Sequence, residues 1–327
     1  PIYMGFLMTE PNSISCTQLA ETYNISHDSV NRFLEREDYT PHDLYQEAIQ
    51  HIDNNKLIVS IDDTVLDKPY SQHMDLVSYF WSGKHHRSVK GINLITLYAT
   101  DQNGQNIPIN FRIYDKSEGK TKNDYFMDML SEVLSWGAKI QFITGDSWYS
   151  STGNLKTIRK YGIRFMFGID CNRKVSPEKG QWFQLRLLPN FHQGQVVWLK
   201  DFGFVQLFKT QLKEQQRFYI VHQDEDDLLS FEGFHELHSS HWKIEQYHRV
   251  IKQVCHIEKF QVRRSKLILN HIFSALMAYV EIQKNQFERI FENVYRWQKK
   301  LFRPMIKNFI DDFILDKNHL LPQRIYK

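Results

Sequence analysis

The sequence predicts an α/β fold: a helical amino-terminal region, a sheet-based core interrupted by a β-rich insertion, and a helical tail. Three observations carry that prediction. Short apolar runs of strand character alternate with helical periodicity between residues 56 and 169. From Asp170 to Gln223 the helical period disappears, and aromatic and β-branched runs alternate with Gly and Pro turns. After Leu228, long amphipathic helical patterns return.

The amino-terminal elements come first. Residues 15 to 35 read as two short helices: Ser15 caps one, with Gln18 placed to complete a capping box, and Asn24-Ile25-Ser26 turns into the other. That second helix carries Val30, Phe33 and Leu34 inward and His27, Asp28, Ser29, Asn31 and Arg32 outward, as a helix-turn-helix reading helix does. An ordinary helical hairpin fits the pattern equally well. Thr40-Pro41 opens a further helix with Leu44, Ala48, Ile49 and Ile52 on one face.

The core follows as strands over Leu57 to Ile61, Val89 to Thr100 and Ile107 to Tyr114, the last two joined at Asn103-Gly104. A helix then runs from Thr121 to Gly137, with Phe126, Met129, Leu130, Val133 and Leu134 at helical spacing. Strand Lys139 to Thr144, helix Ser151 to Lys160 and strand Ile163 to Ile169 come next, an order that implies parallel additions to the sheet. The insertion contains strand-like runs at Gln195 to Leu199, Phe202 to Phe208 and Phe218 to Val221, and reads as an inserted β unit. Helices span about Leu228 to Val254 and Ser265 to Phe291, before a locally basic tail. The expected divisions are 1–54, 55–169, 170–224, 225–292 and 293–327, with neither internal repeats nor low-complexity segments.

Composition narrows the function classes. The 327 residues are 42% hydrophobic and 14% aromatic, enough to bury a large core. Lys and Arg number 41 against 38 Asp and Glu, so a polyanionic partner has to meet a local basic patch. Cys16, Cys171 and Cys255 are far apart and form no CxxC pair, which argues against a disulfide framework or cysteine zinc site and fits a reducing cytosol. Ile2 to Met8 is short for a signal peptide, and polar residues interrupt Leu267 to Ile282, so no membrane span is expected. The first residue is Pro1 rather than Met, as a trimmed or missing start would leave it.

Three carboxylates carry the chemistry. Asp62 ends the first predicted strand in Ile58-Val-Ser-Ile-Asp-Asp-Thr64, and Asp146 ends another in Phe142-Ile-Thr-Gly-Asp-Ser-Trp-Tyr149. Ligands collect at such strand ends, although an isolated Asp there is more commonly a turn residue or helix cap. Glu245 lies on the following helix, where His238, His241, His248, Arg249 and Lys252 all fall within about 60° of it at about 100° per residue. In isolation this stripe reads as a solvated helix face. Ile244, Tyr247, Val250, Ile251 and Val254 project to the other side. Together, two strand-end Asp and a helix-borne Glu supply hard oxygen ligands for two Mg²⁺ about 4 Å apart, with Arg and Lys beside them for phosphates.

From about Lys56 to Lys284 these residues resemble insertion-sequence transposases of the DDE superfamily, in the branch with a β insertion before the catalytic Glu. The likeness rests on Asp62-Asp-Thr64, Gly145-Asp-Ser-Trp-Tyr149 and Ile244-Glu-Gln-Tyr-His-Arg-Val-Ile-Lys252. That branch carries a Tyr-Arg-Glu-Lys signature, whose last step Glu245 and Lys252 reproduce. His238 and His241 occupy the Tyr and Arg positions, where protonated imidazoles partly substitute as phosphate contacts.

The resemblance implies a ribonuclease-H-like core and catalytic Asp62, Asp146 and Glu245 holding two Mg²⁺, with Mn²⁺ able to substitute. It also implies a cut-and-paste reaction by a dimer on the terminal inverted repeats and target DNA of a mobile element, in a prokaryotic cytoplasm at the nucleoid. Asp63 is the alternative to Asp62, since adjacent strand residues face opposite ways; the resemblance favours Asp62 because Thr stands two positions after the catalytic Asp. Further DNA-binding candidates are Asn31, Arg32, Arg249 and Lys252, along with the basic loops Lys84 to Arg87 and Lys116 to Lys122.

Trp182 and Trp198 lie in the insertion, where the resemblance suggests stacking on a flipped base, although burial in a core is their commoner role. His85-His86 and His238-x-x-His241 lack a third ligand at recognisable zinc spacing. Two other functions fit the same residues: a transposase-derived DNA-binding protein that no longer cleaves, and a hydrolytic nuclease of the same fold that never joins strands.

Overall fold

The computed structural model describes residues 2–10, 15–83, 85–212, 215–222, 227–289 and 293–318. At its centre, β1 (Leu57–Asp67) pairs antiparallel with β3 (Arg87–Thr100), which in turn pairs with β4 (Asn106–Ile113). On the other side of β1, β5 (Ile140–Gly145) and then β6 (Arg164–Ile169) add in parallel. Their crossovers are α5 (Lys122–Ser135) and α6 (Thr152–Lys160). The order β4-β3-β1-β5-β6, with three antiparallel strands followed by two helix-linked parallel ones, is the expected ribonuclease-H-like core.

Local chemistry explains where these elements begin. Thr121 and Asp124 form a reciprocal capping box at the start of α5, and Ser151 caps α6 through the Asn154 N–H. A capping box at Thr40 and Asp43, followed by Pro41, likewise starts α4 (Pro41–Ala48). The anticipated pair at residues 15 to 35 is α2 (Cys16–Tyr23) and α3 (His27–Arg36), with Asn24 in the left-handed conformation between them.

Four features differ from the sequence reading. β1 continues to Asp67 instead of stopping at Ile61, because the long β3 pairs with it as far as Asp67↔Gly91. The parallel partner β5 ends at Ile61↔Gly145, so Asp62 is the first β1 residue beyond the parallel pairing although it lies mid-strand. An unanticipated edge strand, β2 (Ser78–Ser82), pairs with the start of β3. The strands of the insertion join the core sheet, a connection the sequence left open: β7 (Lys174–Ser176), β8 (Phe183–Gln184), β9 (Gln195–Leu199), β10 (Gly203–Leu212) and β11 (Gln215–His222) prolong it through the β11–β6 pairing. Finally, Ile2 to Met8 falls in a helix, α1 (Ile2–Thr9).

Three long helices follow: α7 (Phe231–Gln253), α8 (Ser265–Phe287) and α9 (Val294–Asn318). Phe291, the expected end of the second, lies outside the described residues. α8 is buried on most sides and packs against α1, α3, α4, α7 and β4. One apolar core therefore runs from Tyr3 and Leu34 through the sheet to Val294. Tyr3 hydroxyl and His271 Nδ1 share a 2.7 Å hydrogen bond between α1 and α8. Among the described residues, no helix is long and apolar enough to cross a membrane.

α7 lies across one face of the sheet. Near its start, Phe234 and Leu237 join a second core with Phe142, Met166, Phe208 and Tyr219. Farther along, Tyr247 stacks on Tyr98 of β3 at 4.8 Å, flanked by the fully buried Ile244 and Ile251. Rolling the helix to present another face would expose those two isoleucines, at about 3–6 kcal/mol.

Candidate active site

Strand alternation sorts the β1 side chains onto two faces. Ser60 and Asp62 face α7, where Ser60 Oγ and Thr144 Oγ1 share a 2.8 Å hydrogen bond and Thr144 shares one of 3.1 Å with His241 Nδ1. This chain of polar contacts ties β1 and β5 to α7 just below Asp62. Asp63 faces α5, where its carboxylate accepts from Lys122 Nζ (2.7 Å), Asn93 Nδ2 (2.6 Å) and Tyr149 hydroxyl (2.9 Å). Asp63 is thus neutralised and saturated. Asp62 has no cation at hydrogen-bond distance among the described residues.

The described residues hold one group of side chains able to grip a metal ion: Asp62, Glu245 and His248, each offering a ligand atom within 4.8 Å of the others. Desolvation raises the Asp62 carboxyl well above the ordinary range, and the charges of Asp146, Asp63 and Glu245 push the same way. Asp146 immediately follows β5, and one of its oxygens accepts the Trp148 N–H at 3.0 Å. Desolvation and the Asp63 carboxylate raise its pKa to about 6, although the residue keeps solvent access on one side. Such mutual repulsion is what a cation relieves.

The position of Asp146 depends on Gly145. A Cβ there would lie 2.6 Å from Phe167 Cε1 and 2.7 Å from Ile61 Cγ2, so only glycine lets β5 approach its neighbours this closely.

The helix stripe around Glu245 is divided. Glu245 and Arg249 are exposed, as expected. His241, His248 and Lys252 lie about 20–60° to one side of Glu245, and the sheet meets that side. Lys252 Nζ donates to the Val65 carbonyl of β1 at 2.7 Å, with Glu258 3.9 Å away. It therefore tethers α7 to β1 while staying half-buried. His241 is held on Thr144, and burial, helped by His238, lowers its pKa to about 4. His238 Nε2 shares a 3.0 Å hydrogen bond with Tyr219 hydroxyl, and burial lowers its pKa too. Burial thus disfavours the charged imidazolium at both positions, the form in which they were expected to meet phosphate.

His248 is the residue whose part in the site the sequence reading missed. It stood in the charged stripe but was given no role, and its one signal was the Glu-x-x-His spacing from Glu245. Burial, chiefly, lowers its pKa to about 3.

The remaining candidates lie elsewhere. Asn31 is half-buried and Arg32 exposed on α3. Trp182 and Trp198 are 46% and 43% exposed, which overturns their expected burial; Trp198 packs edge-on against Phe204 at 4.8 Å. On the basic loops, Lys116 donates to the Tyr79 carbonyl and Lys120 to Asp128, while Lys84 lies outside the described residues.

The model of the transposase DDE domain matches residues 53–280, most of the chain and all three carboxylates. The chain belongs to this family. The transposase domain thus spans the ribonuclease-H-like core, the insertion, α7 and most of α8. Among solved structures, Marinitoga piezophila Argonaute in complex with 5′ OH guide RNA and target DNA is similar at 10% identity and a TM-score of 0.23, covering 65% of this chain. This chain spans 28% of that one, and a likeness so slight bears on neither fold nor function. No curated protein matches the chain.

Proposed function

We propose that this chain is a DNA transposase that cleaves DNA at the ends of a mobile element and joins them to target DNA, with Asp62, Asp146 and Glu245 holding two Mg²⁺ ions. The observation that carries this reading is the placement of Asp62: beside Glu245 and His248 in a match to the transposase DDE domain, its carboxyl desolvated among other acids. The donor set suits divalent cations, since repelling carboxylates need positive charge to ionise together. When bound there, such ions supply Lewis acidity at the attacking and leaving oxygens of an in-line phosphoryl transfer, a role Mn²⁺ also fills.

The chain's own residues supply position and charge. Gly145 and the Trp148 N–H hold Asp146 at the mouth of the site, and the Ser60–Thr144–His241 chain and the Lys252 tether fix α7 so that Glu245 meets Asp62. Exposed Arg249, one turn beyond Glu245, is placed for a DNA phosphate. The outer face of α3, with Asn31 and Arg32, is the surface we assign to terminal-repeat DNA, and exposed Trp182 and Trp198 are assigned to bases near the cut. The complex on paired ends is proposed to contain two copies of the chain.

A pre-cut 3′ end supplied with a target duplex tests the reading. Joined products that vanish with Asp62→Asn, Asp146→Asn or Glu245→Gln are expected. Cleavage without joining would indicate a hydrolytic nuclease, and end binding without either reaction a DNA-binding derivative.

A further inference from the structure

The donor set around Asp62 is not made of oxygen alone. His248, one turn beyond Glu245, is only 6% exposed. Its Nδ1 lies 3.6 Å from Asp62 Oδ2, beyond hydrogen-bond range. Its Nε2 is buried with no hydrogen-bond partner among the described residues. A buried imidazole nitrogen without a partner is unusual, because buried polar atoms otherwise find one.

The separation fits a shared ion. An oxygen and a nitrogen each about 2.1 Å from one divalent cation stand roughly 3.0–3.6 Å apart for ordinary coordination angles. The Glu-x-x-His spacing also puts carboxylate and imidazole on one helix face, an arrangement that metal-binding helix bundles use. We infer that His248 is a metal ligand, forming with Asp62 and Glu245 a two-carboxylate, one-imidazole site for one of the divalent cations. This inference rests on the metal reading proposed above. It carries a consequence of its own: an imidazole donor favours Mn²⁺ and other transition ions over Mg²⁺, which prefers an all-oxygen shell.

The test is electron spin-echo modulation of one equivalent of Mn²⁺ added to the whole metal-free protein. A directly coupled nitrogen is expected, with its modulation changed by ¹⁵N-histidine labelling, lost in His248→Gln and kept in His238→Gln and His241→Gln. His248→Gln is also expected to weaken Mn²⁺ binding by about tenfold or more, the scale seen when a residue that merely orients a ligand is lost.

Mn²⁺ that binds in an Asp62-dependent way without nitrogen coupling, or with coupling that survives His248→Gln, overturns the inference and leaves the carboxylate reading standing. Wild-type protein that binds no Mn²⁺, or Asp62→Asn that binds it equally well, overturns both. Should His248→Gln fail to fold, the labelled wild type and the other two variants decide: coupling absent, or lost with either of them, refutes the assignment to His248.

Discussion

Asp62 and Asp63 are neighbours in β1 whose carboxylates face opposite sides of the sheet. Asp62 Oδ2 lies 3.6 Å from His248 Nδ1 on the α7 side, and Asp63 Oδ2 lies 2.7 Å from Lys122 Nζ on the α5 side. One is left for a ligand and the other is spent on an internal ion pair. Asp62→Asn is therefore expected to abolish cleavage while leaving the metal-free protein as stable as the wild type or more so, since it removes a repelled charge. Asp63→Asn is expected to cost about 1–3 kcal/mol, less than the loss of half a fully buried pair, and to retain cleavage per folded molecule. Thermal melts beside a cleavage assay check this, and an inactive but fully stable Asp63→Asn would exchange the two roles.

The raised carboxyls set a pH dependence of stability. A carboxyl whose folded pKa exceeds its unfolded value contributes stability that is present below the unfolded pKa and lost as pH rises through the folded one. For Asp146 that window runs from about 4 to about 6, and Asp62 shifts in the same direction. Metal-free protein is expected to lose stability across this window, and the increase in Tm on adding Mn²⁺ is expected to grow from pH 5 to pH 7. A metal-induced shift independent of pH would mean that these carboxyls do not take up the ion.

Gly145→Ala tests how tightly Asp146 is positioned. The added methyl has to displace the Phe167 ring or Ile61, an overpacking expected to cost about 1–3 kcal/mol. Cleavage is expected to fall further than stability alone accounts for, because Asp146 is the next residue. Wild-type activity and Tm would show that β5 yields without moving the site.

Lys252→Ala separates a tether from a DNA contact. Losing the charged hydrogen bond to Val65 is expected to destabilise the DNA-free protein by about 1.5 kcal/mol. An unchanged Tm combined with weaker end complexes would return Lys252 to the phosphate-binding role.

Arg32→Ala probes the outer face of α3. The exposed Arg32 guanidinium donates to Ser29 Oγ at a long 3.4 Å, so its removal is expected to leave Tm unchanged. Binding to terminal-repeat DNA should weaken, with a shallower dependence on salt because one phosphate contact is lost. Binding and salt slope identical to the wild type would leave α2 and α3 as a helical hairpin packed on α8.

Local patterns settled much of this molecule in advance. Caps at Ser15, Thr40, Thr121 and Ser151, strand alternation around Asp62 and the helical period around Glu245 are properties of a few successive residues, so the sequence alone set the order of the main core elements and the three elements bearing the carboxylates, though not α1 or β2. What it lacked was the partner of each face. Periodicity shows that His241, His248 and Lys252 share a stripe with Glu245, yet only the seating of Tyr247 on Tyr98 of β3, with Ile251 fully buried, decides which edge of that stripe is buried. Likewise, the pleat puts Asp62 and Asp63 on opposite faces, but Lys122, 59 residues away in the chain, determines which one is neutralised. Long-range packing also joined the insertion to the edge of β6 and exposed Trp182 and Trp198, because a strand's register and neighbours are set by the strand it pairs with.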